Sequence, residues 1–219
     1  SRSSCSSDSL AERRAEDVPQ SLPTSTSVLL RPMIRECRRV SLLSDMLFLR
    51  LGERNFRRNC GLRLPLDGEM INGQAVGRVA DLRYGLCRMS FNGCEVIAVY
   101  NALVYTGKTA ALTDVARHME RYRMLMGIFG CDPYKIGKAL EHFGVSGRRV
   151  KNTDGAQAFI MTFWTGVPLF SSVHTVFCVK TAEGTKVFNR YNNSEGAEFF
   201  RSVSEAAGGH RIITIYRIL

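Results

Sequence analysis

The sequence predicts an α+β fold in which helices come first and an antiparallel sheet follows. Apolar residues at helical spacing fill the middle of the chain, and segments rich in β-branched and aromatic residues fill its last third. Helices grouped before strands favour separate layers over alternating βαβ units. With 219 residues, of which 45% are apolar and 23% charged, the chain has globular composition, with mass for one domain and an extension.

The first part of the chain predicts an extension rather than a domain. Residues 1–27 are rich in Ser, Glu and Arg, show no apolar period and predict a disordered tail. Residues 28–87 predict a basic extension and linker. Within it, arginines alternate with apolar residues over 28–51, which is typical of accessory surface helices, and the six glycines of 52–88 favour a linker with short strands or turns. The domain itself is expected at 88–219.

Helix start and stop signals define three helices in that domain. A turn over 90–93 precedes the first helix, which Gly107 ends, and Thr113 and Gly127 bound the second. Asp132 is the predicted N-cap of the third, with Pro133 at its first position. The predicted helices cover residues 94–104, 113–126 and 132–144.

Strand signals dominate the remainder of the chain. Two β-prone runs flank the turn-like sequence at 182–185 and predict a hairpin, and a further run closes the chain. The predicted strands cover residues 158–164, 175–180, 186–191 and 211–219.

Charge and cysteine content limit the classes of partner. The formal net charge of +10 favours anionic partners in general, but nucleic acid is disfavoured, and contact of 28–58 with a membrane surface is only a weak alternative. Seven cysteines without a C-x-x-C pair indicate reduced thiols rather than a disulfide framework or a zinc site. The opening segment lacks the apolar core of a secretion signal, so a cytoplasmic location is the expectation. No oligomeric state is predicted.

Cys94 has the setting of a nucleophile. It follows an Asn-Gly turn at the first turn of the first helix, where backbone N–H groups and the helix dipole favour a thiolate. The same N–H groups can hold an oxyanion, and the side-chain amide of Asn92 is a candidate second donor.

His174 is the favoured base among four histidines. It opens a strand directly after a loop, so its ring can approach another element. An imidazole that moves protons needs its other nitrogen held, and Asn189 on the second hairpin strand is the favoured partner. Hairpin register decides this, and Asn192 and Asn193 remain alternatives.

A resemblance to a known family rests on three segments: Asn92-Gly93-Cys94-Glu95, His174-Thr175-Val176 and Phe188-Asn189. Together they resemble the papain-like cysteine peptidase superfamily in its compact bacterial form, which includes the double-glycine leader peptidases. The resemblance covers about residues 88–219. It implies a helical lobe that carries Cys94, a sheet that carries His174 and Asn189, and attack of a thiolate on an amide or ester.

We therefore expect a thiol-dependent hydrolase, a peptidase or amidase acting on a peptide or other acyl substrate. Cys94 would attack the carbonyl, His174 would move the proton, Asn189 would orient the ring, and no metal or cofactor would be needed. The alternatives are a catalytically inactive papain-like binding or scaffold protein, and an acyl-transferase or deamidase on the same fold.

Overall fold

The computed structural model describes residues 50–62, 64, 68–166 and 172–219. In this part of the chain, helices lie on an antiparallel six-stranded sheet, so the predicted α+β class is confirmed. The tail predicted for 1–27 and the surface helices predicted over residues 28–49 lie outside the described residues.

The helical layer is built around one central helix. Helix α1 covers residues 50–60, and short 3₁₀ turns connect several of the later helices. The other α-helices are α2 (Met89–Asn92), α3 (Cys94–Tyr105), α4 (Leu112–Met119), α5 (Ile136–His142) and α6 (Val203–Ala206), and the 3₁₀ turns are Gly77–Asp81, Glu120–Tyr122, Leu125–Gly127 and Pro133–Lys135.

The main sheet has the strand order β3-β8-β4-β5-β6-β7, and every neighbouring pair is antiparallel. A separate two-stranded hairpin, β1 with β2, precedes the central helix. The strands are β1 (Arg83–Tyr84), β2 (Cys87–Arg88), β3 (Gly147–Val150), β4 (Ala158–Thr165), β5 (Ser172–Thr181), β6 (Gly184–Phe188), β7 (Glu198–Phe200) and β8 (Ile212–Ile218).

Helix α3 is the centre of the helical layer. Its first ten residues are all buried, which is typical of a helix surrounded by other elements rather than an amphipathic surface helix. It follows α2 after a single residue, Gly93, where an added Cβ would overlap the side chain of Met89. Glycine therefore permits the tight junction that places Cys94 at the start of α3.

The sheet has two buried faces because successive side chains of a strand alternate. On β4, Ala158 and Ile160 pack against the helical layer in the larger core. Phe159, Met161 and Phe163 point the other way, into a second core that α6 helps to cover. Each residue of the sheet thus belongs to the helix-facing side or to the α6-facing side.

Three of the predicted elements before α5 differ from the structure. The helix expected over 113–126 ends at Met119, and a 3₁₀ turn over Glu120–Tyr122, extended Arg123 and positive φ at Leu125 and Met126 follow it. The predicted cap Thr113 lies inside this helix, which Ala111 precedes without a side-chain cap.

Residues 52–60, expected as linker, are helical, and the turn expected over 90–93 is largely the short helix α2. Local turn signals were overridden there by packing against the rest of the domain.

The signals at Asp132 and at the hairpin are confirmed. The Asp132 carboxylate accepts a hydrogen bond from the backbone N–H of Tyr134 at 2.9 Å, and α5 follows after one 3₁₀ turn. The hairpin closes with Thr181 opposite Gly184, so its two-residue turn is Ala182-Glu183, within the turn-like sequence at 182–185. Strands β3 and β7 were not predicted, since both are short and have mixed polarity.

None of the helices in the described residues has the length and apolar character needed to cross a membrane.

Candidate active site

A cavity of about 920 Å³ opens where the start of α3 meets the end of the sheet that carries the start of β5. Cys94 and His174 both line it, together with the loop over 124–131 and the segment 190–193. Among the described lining residues, Glu95 is the only carboxyl group and Arg190 the only Lys or Arg. The structure therefore brings the two predicted residues Cys94 and His174 to the same cavity.

Cys94 is the first residue of α3 and is 6% exposed. Burial raises the pKa of its thiol well above 9.0, and the neighbouring Glu95 carboxylate raises it further. Hydrogen bonds with the main chain of Thr175 and Glu95 act in the opposite direction without outweighing these effects. The prediction that the helix N-terminus makes this sulfur a thiolate is wrong, because burial and a nearby negative charge dominate.

Glu95 is the hydrogen-bond partner of that thiol. The sulfur donates to Glu95 Oε2 at 3.3 Å, and the carboxyl group is 2% exposed. Burial raises the pKa of Glu95 from 4.5 to about 7, although hydrogen bonds with Cys94 and with the main chains of Glu95 and Cys131 lower it. This residue belongs to the motif quoted from the sequence but was given no role there, although an acidic side chain in an otherwise apolar helix start was a visible signal.

His174 is held by the main chain. Its Nε2 lies 2.7 Å from the carbonyl oxygen of Asn189, and since that oxygen only accepts, Nε2 carries the proton. Burial lowers the pKa of the imidazole from 6.5 to about 4, and the nearby charge of Arg190 lowers it further. The ring is therefore neutral at neutral pH, with its lone pair on Nδ1.

The His174 ring and the Cys94 sulfur are not hydrogen-bonded to each other in the described part of the chain. Cross-strand pairing places His174 beside Phe163, and the two rings meet edge to face with centroids 6.0 Å apart. Phe163 belongs to the α6-facing core. The next residue, Thr175, is the one whose main chain reaches the Cys94 sulfur from the strand.

Asn189 orients the imidazole through its main chain rather than through its amide. The residue has a φ of +59°, a left-handed conformation that asparagine tolerates, and its carbonyl points to His174. Asn192 and Asn193 line the cavity but make no described hydrogen bond to the ring.

The Asn189 amide pairs instead with Gln74, 115 positions away. Its Oδ1 accepts from the Gln74 backbone N–H at 2.9 Å, and its Nδ2 donates to Gln74 Oε1 at 3.2 Å. Gln74 Nε2 donates in turn to the carbonyl of Ser90 at 3.2 Å. Gln74 is buried, lines the cavity and links the end of the sheet to α2. It was missed in the sequence because it belongs to no motif and is recognised only by contacts with residues distant in sequence.

The predicted oxyanion donor Asn92 is engaged elsewhere. Its Nδ2 donates to the carbonyl oxygens of Tyr84 and Gly127, which ties α2 to β1 and to the loop over 124–131. The amide is therefore not available to a substrate oxygen, and its role is to hold the cavity wall.

The rim of the cavity is strongly apolar. Six large apolar or aromatic side chains line the cavity although each is at least 40% exposed to solvent, which is unusual for a monomer surface. They are Phe91, Met124, Ile128, Phe129, Trp164 and Tyr191.

Comparison with protein-family models, with curated proteins and with solved structures found no match to this chain. The site is therefore interpreted from its own residues. In the described part of the chain, no group of three or more His, Cys, Asp or Glu side chains is arranged to hold a metal ion.

Proposed function

We propose that the protein is a thiol-dependent acyl hydrolase of the papain-like kind, a peptidase or amidase. Cys94 attacks the carbonyl of a peptide or other acyl substrate and forms an acyl-thioester, which water then hydrolyses. His174 moves protons to the leaving group and from the water, and Asn189 fixes its tautomer. The main-chain N–H of Cys94 remains the candidate oxyanion donor.

The observation that carries this proposal is the shared cavity. One opening of about 920 Å³ is lined by a cysteine at a helix start and by a neutral histidine whose Nε2 proton is fixed. A pocket of this size accommodates a peptide segment or an acyl group. The apolar rim favours substrates with a bulky apolar group near the reacting carbonyl.

The experiment measures p-nitrophenolate release from p-nitrophenyl acetate, with mass spectrometry of the acylated peptide. Cys94→Ala abolishes the acyl adduct, and His174→Ala lowers the rate by about 100-fold, as loss of a general acid-base group does. The matched controls are Cys178→Ala, another buried thiol on β5 outside the cavity lining, and His142→Ala, an exposed histidine outside it. Both controls acylate Cys94 at nearly the wild-type rate.

A second candidate is a non-catalytic binding protein that uses the same cavity. The raised pKa of Cys94 and the bond of the imidazole to a main-chain carbonyl favour it over a preformed thiolate-imidazolium pair. Under this alternative the wild-type protein binds apolar peptides, while Cys94 forms no acyl adduct at any pH. The adduct measurement therefore separates the two candidates.

A further inference from the structure

The start of α3 places a buried carboxyl group directly against the proposed nucleophile. We propose that Glu95 accepts the Cys94 thiol proton as the sulfur attacks the acyl carbonyl, so that this transfer runs between neighbours on one helix and not to His174. The inference rests on the proposed function and adds a catalytic residue to it.

The geometry fixes the carboxyl group toward the sulfur. Glu95 Oε2 accepts from Cys94 Sγ at 3.3 Å, and the main chain of Cys131 is hydrogen-bonded to the same carboxyl group. Gly130 has a φ of +67°, and a Cβ added there would lie 2.9 Å from Oε2. The loop therefore packs closely against the carboxylate. A side chain confined in this way keeps one orientation.

Among the described ionisable side chains that interact with one another around Cys94, Glu95 is the one that can accept a proton. Cys94 on its own helix, Cys131 on the loop and Tyr84 on β1 are the titratable side chains that interact with it. Burial raises the pKa of each of these three side chains, so all three remain neutral at neutral pH. Glu95, with a pKa of about 7, is about half ionised under the same conditions.

A neutral thiol beside a carboxylate needs its proton removed at the moment of attack. Such a pair differs from a preformed thiolate, because the base works during the reaction and not before it. The accepting nitrogen of His174 is Nδ1, but the ring packs on Phe163 and makes no hydrogen bond to the sulfur among the described residues. The carboxylate is thus the acceptor already in hydrogen-bond contact with the sulfur.

The proposed step balances in protons and bonds. The Sγ–C bond forms as the Sγ–H proton moves to Glu95 Oε2, and the tetrahedral oxyanion then re-forms the carbonyl as the bond to the leaving group breaks. His174 then takes this proton from Glu95 and passes it to the leaving group. In the second half, His174 takes a proton from the water that attacks the thioester, the C–S bond breaks, and that proton returns through the Glu95 carboxylate to the sulfur.

The test is the pH dependence of Cys94 acylation by p-nitrophenyl acetate between about pH 5 and about pH 9, followed by mass spectrometry. If Glu95 is the base, the wild-type rate rises with pH through the carboxyl pKa of about 7. Glu95→Gln, which keeps the shape but has no proton-accepting carboxylate, loses this rise and acylates about 100-fold more slowly on the plateau. Glu95→Asp keeps a carboxylate and recovers a rise with pH.

Alkylation of the same variants by iodoacetamide gives a readout that a structural role would not move. The Glu95 charge raises the pKa of Cys94, so Glu95→Gln shifts Cys94 alkylation to lower pH while it slows acylation. Exposed Cys60 serves as the internal control, and its alkylation is the same in every variant. Opposite effects on the two reactions identify a base that also repels the thiolate.

Three results overturn the inference, and they are distinguishable. If acylation is already at its plateau at about pH 5, above the His174 pKa of about 4, and survives in Glu95→Gln, the hydrolase stands and His174 is the base. If Glu95→Gln slows both reactions alike while circular dichroism is unchanged, Glu95 only positions the sulfur. If wild-type Cys94 is never acylated, the proposed function fails together with the inference.

Discussion

The two walls of the cavity hold their ionisable groups in different ways. On the helix-side wall, formed by Cys94, Glu95 and Cys131, the polar side chains contact each other, and the Cys94 thiol donates to the Glu95 carboxyl group. On the sheet-side wall, His174 is bonded to the main-chain oxygen of Asn189. The first arrangement can exchange a proton within itself, whereas the second fixes a proton in place.

This difference shows that burial acts on the two walls in opposite senses. It raises the pKa of the thiols and of Glu95, which keeps protons on the helix-side wall, and it lowers the pKa of His174, which removes one from the imidazole. The thiol and the imidazole of the site are thus neutral at neutral pH, whereas Glu95 is partly ionised.

The largest expected effect tests the neutral imidazole of the sheet-side wall. The pKa of His174 is lowered from 6.5 to about 4 in the fold, so the unfolded chain takes up a proton first as the pH falls between these values. The free energy of unfolding therefore decreases from about pH 6.5 down to about pH 4, by about 3 kcal/mol from this group. Above 6.5 the group has no effect.

Urea unfolding of the wild type and of His174→Gln at neutral and acidic pH measures this loss. Between neutral and acidic pH, the free energy of unfolding of His174→Gln falls by about 3 kcal/mol less than that of the wild type. His210→Ala, which removes an exposed histidine, behaves as the wild type. Equal acid losses in the wild type and His174→Gln would mean that the imidazole is charged in the folded protein.

An intermediate effect is expected from the helix-side wall at Gly130. Gly130→Ala forces a left-handed alanine and pushes a Cβ to 2.9 Å from Glu95 Oε2, whereas Gly209, with a φ of +71°, has nothing within 4 Å of the corresponding Cβ. Gly209→Ala lowers the free energy of unfolding by about 1 kcal/mol through backbone strain alone. Gly130→Ala lowers it by about 1 kcal/mol more, because the buried carboxyl group must also move.

Thermal or urea unfolding gives the two free energies, and Cys94 acylation gives the functional consequence. Only Gly130→Ala is expected to disturb the acylation pH profile. A Gly130→Ala protein with the stability of Gly209→Ala and an unchanged profile contradicts a carboxylate confined by the loop.

The smallest effect concerns the apolar rim, which both walls share. Phe129, 65% exposed at the cavity, is compared with Phe199, 57% exposed on β7 and outside the cavity lining. The measured quantity is the ratio of the Cys94 acylation rates with p-nitrophenyl hexanoate and with p-nitrophenyl acetate. Phe129→Ser lowers this ratio by about fivefold, because about 1 kcal/mol of apolar contact is lost. Phe199→Ser leaves the ratio unchanged, and an equal response of the two variants rules out recognition by the rim.

The local elements that carry this site could be predicted from the sequence. The start of α3 at Cys94, the Asp132 cap and the β5–β6 hairpin follow from turn, cap and alternation signals that act over a few residues. The α+β class follows from the order of those elements. The papain-like assignment within that class stays a prediction.

The relations between those parts needed the three-dimensional structure. Strand alternation depends on register, so the sequence did not show that Thr175 rather than His174 faces α3. The reach of the Glu95 side chain back to Cys94, and the use of the Asn189 carbonyl rather than its amide, depend on packing. A thiolate was expected from the helix dipole because burial could not be weighed in advance.

The pairing of Gln74 with Asn189 determines when the cavity can exist during folding. It joins positions 115 apart, and the neighbouring N–H of Ala75 donates to the carbonyl of Asn192 at 2.6 Å. Contacts of such long sequence separation form after local helices and hairpins, because closing a long loop loses chain entropy before the new contact stabilises the chain. A nascent or partly unfolded chain would therefore present Cys94 without a completed pocket, and the proposed acyl chemistry would require the pairing of Gln74 with Asn189.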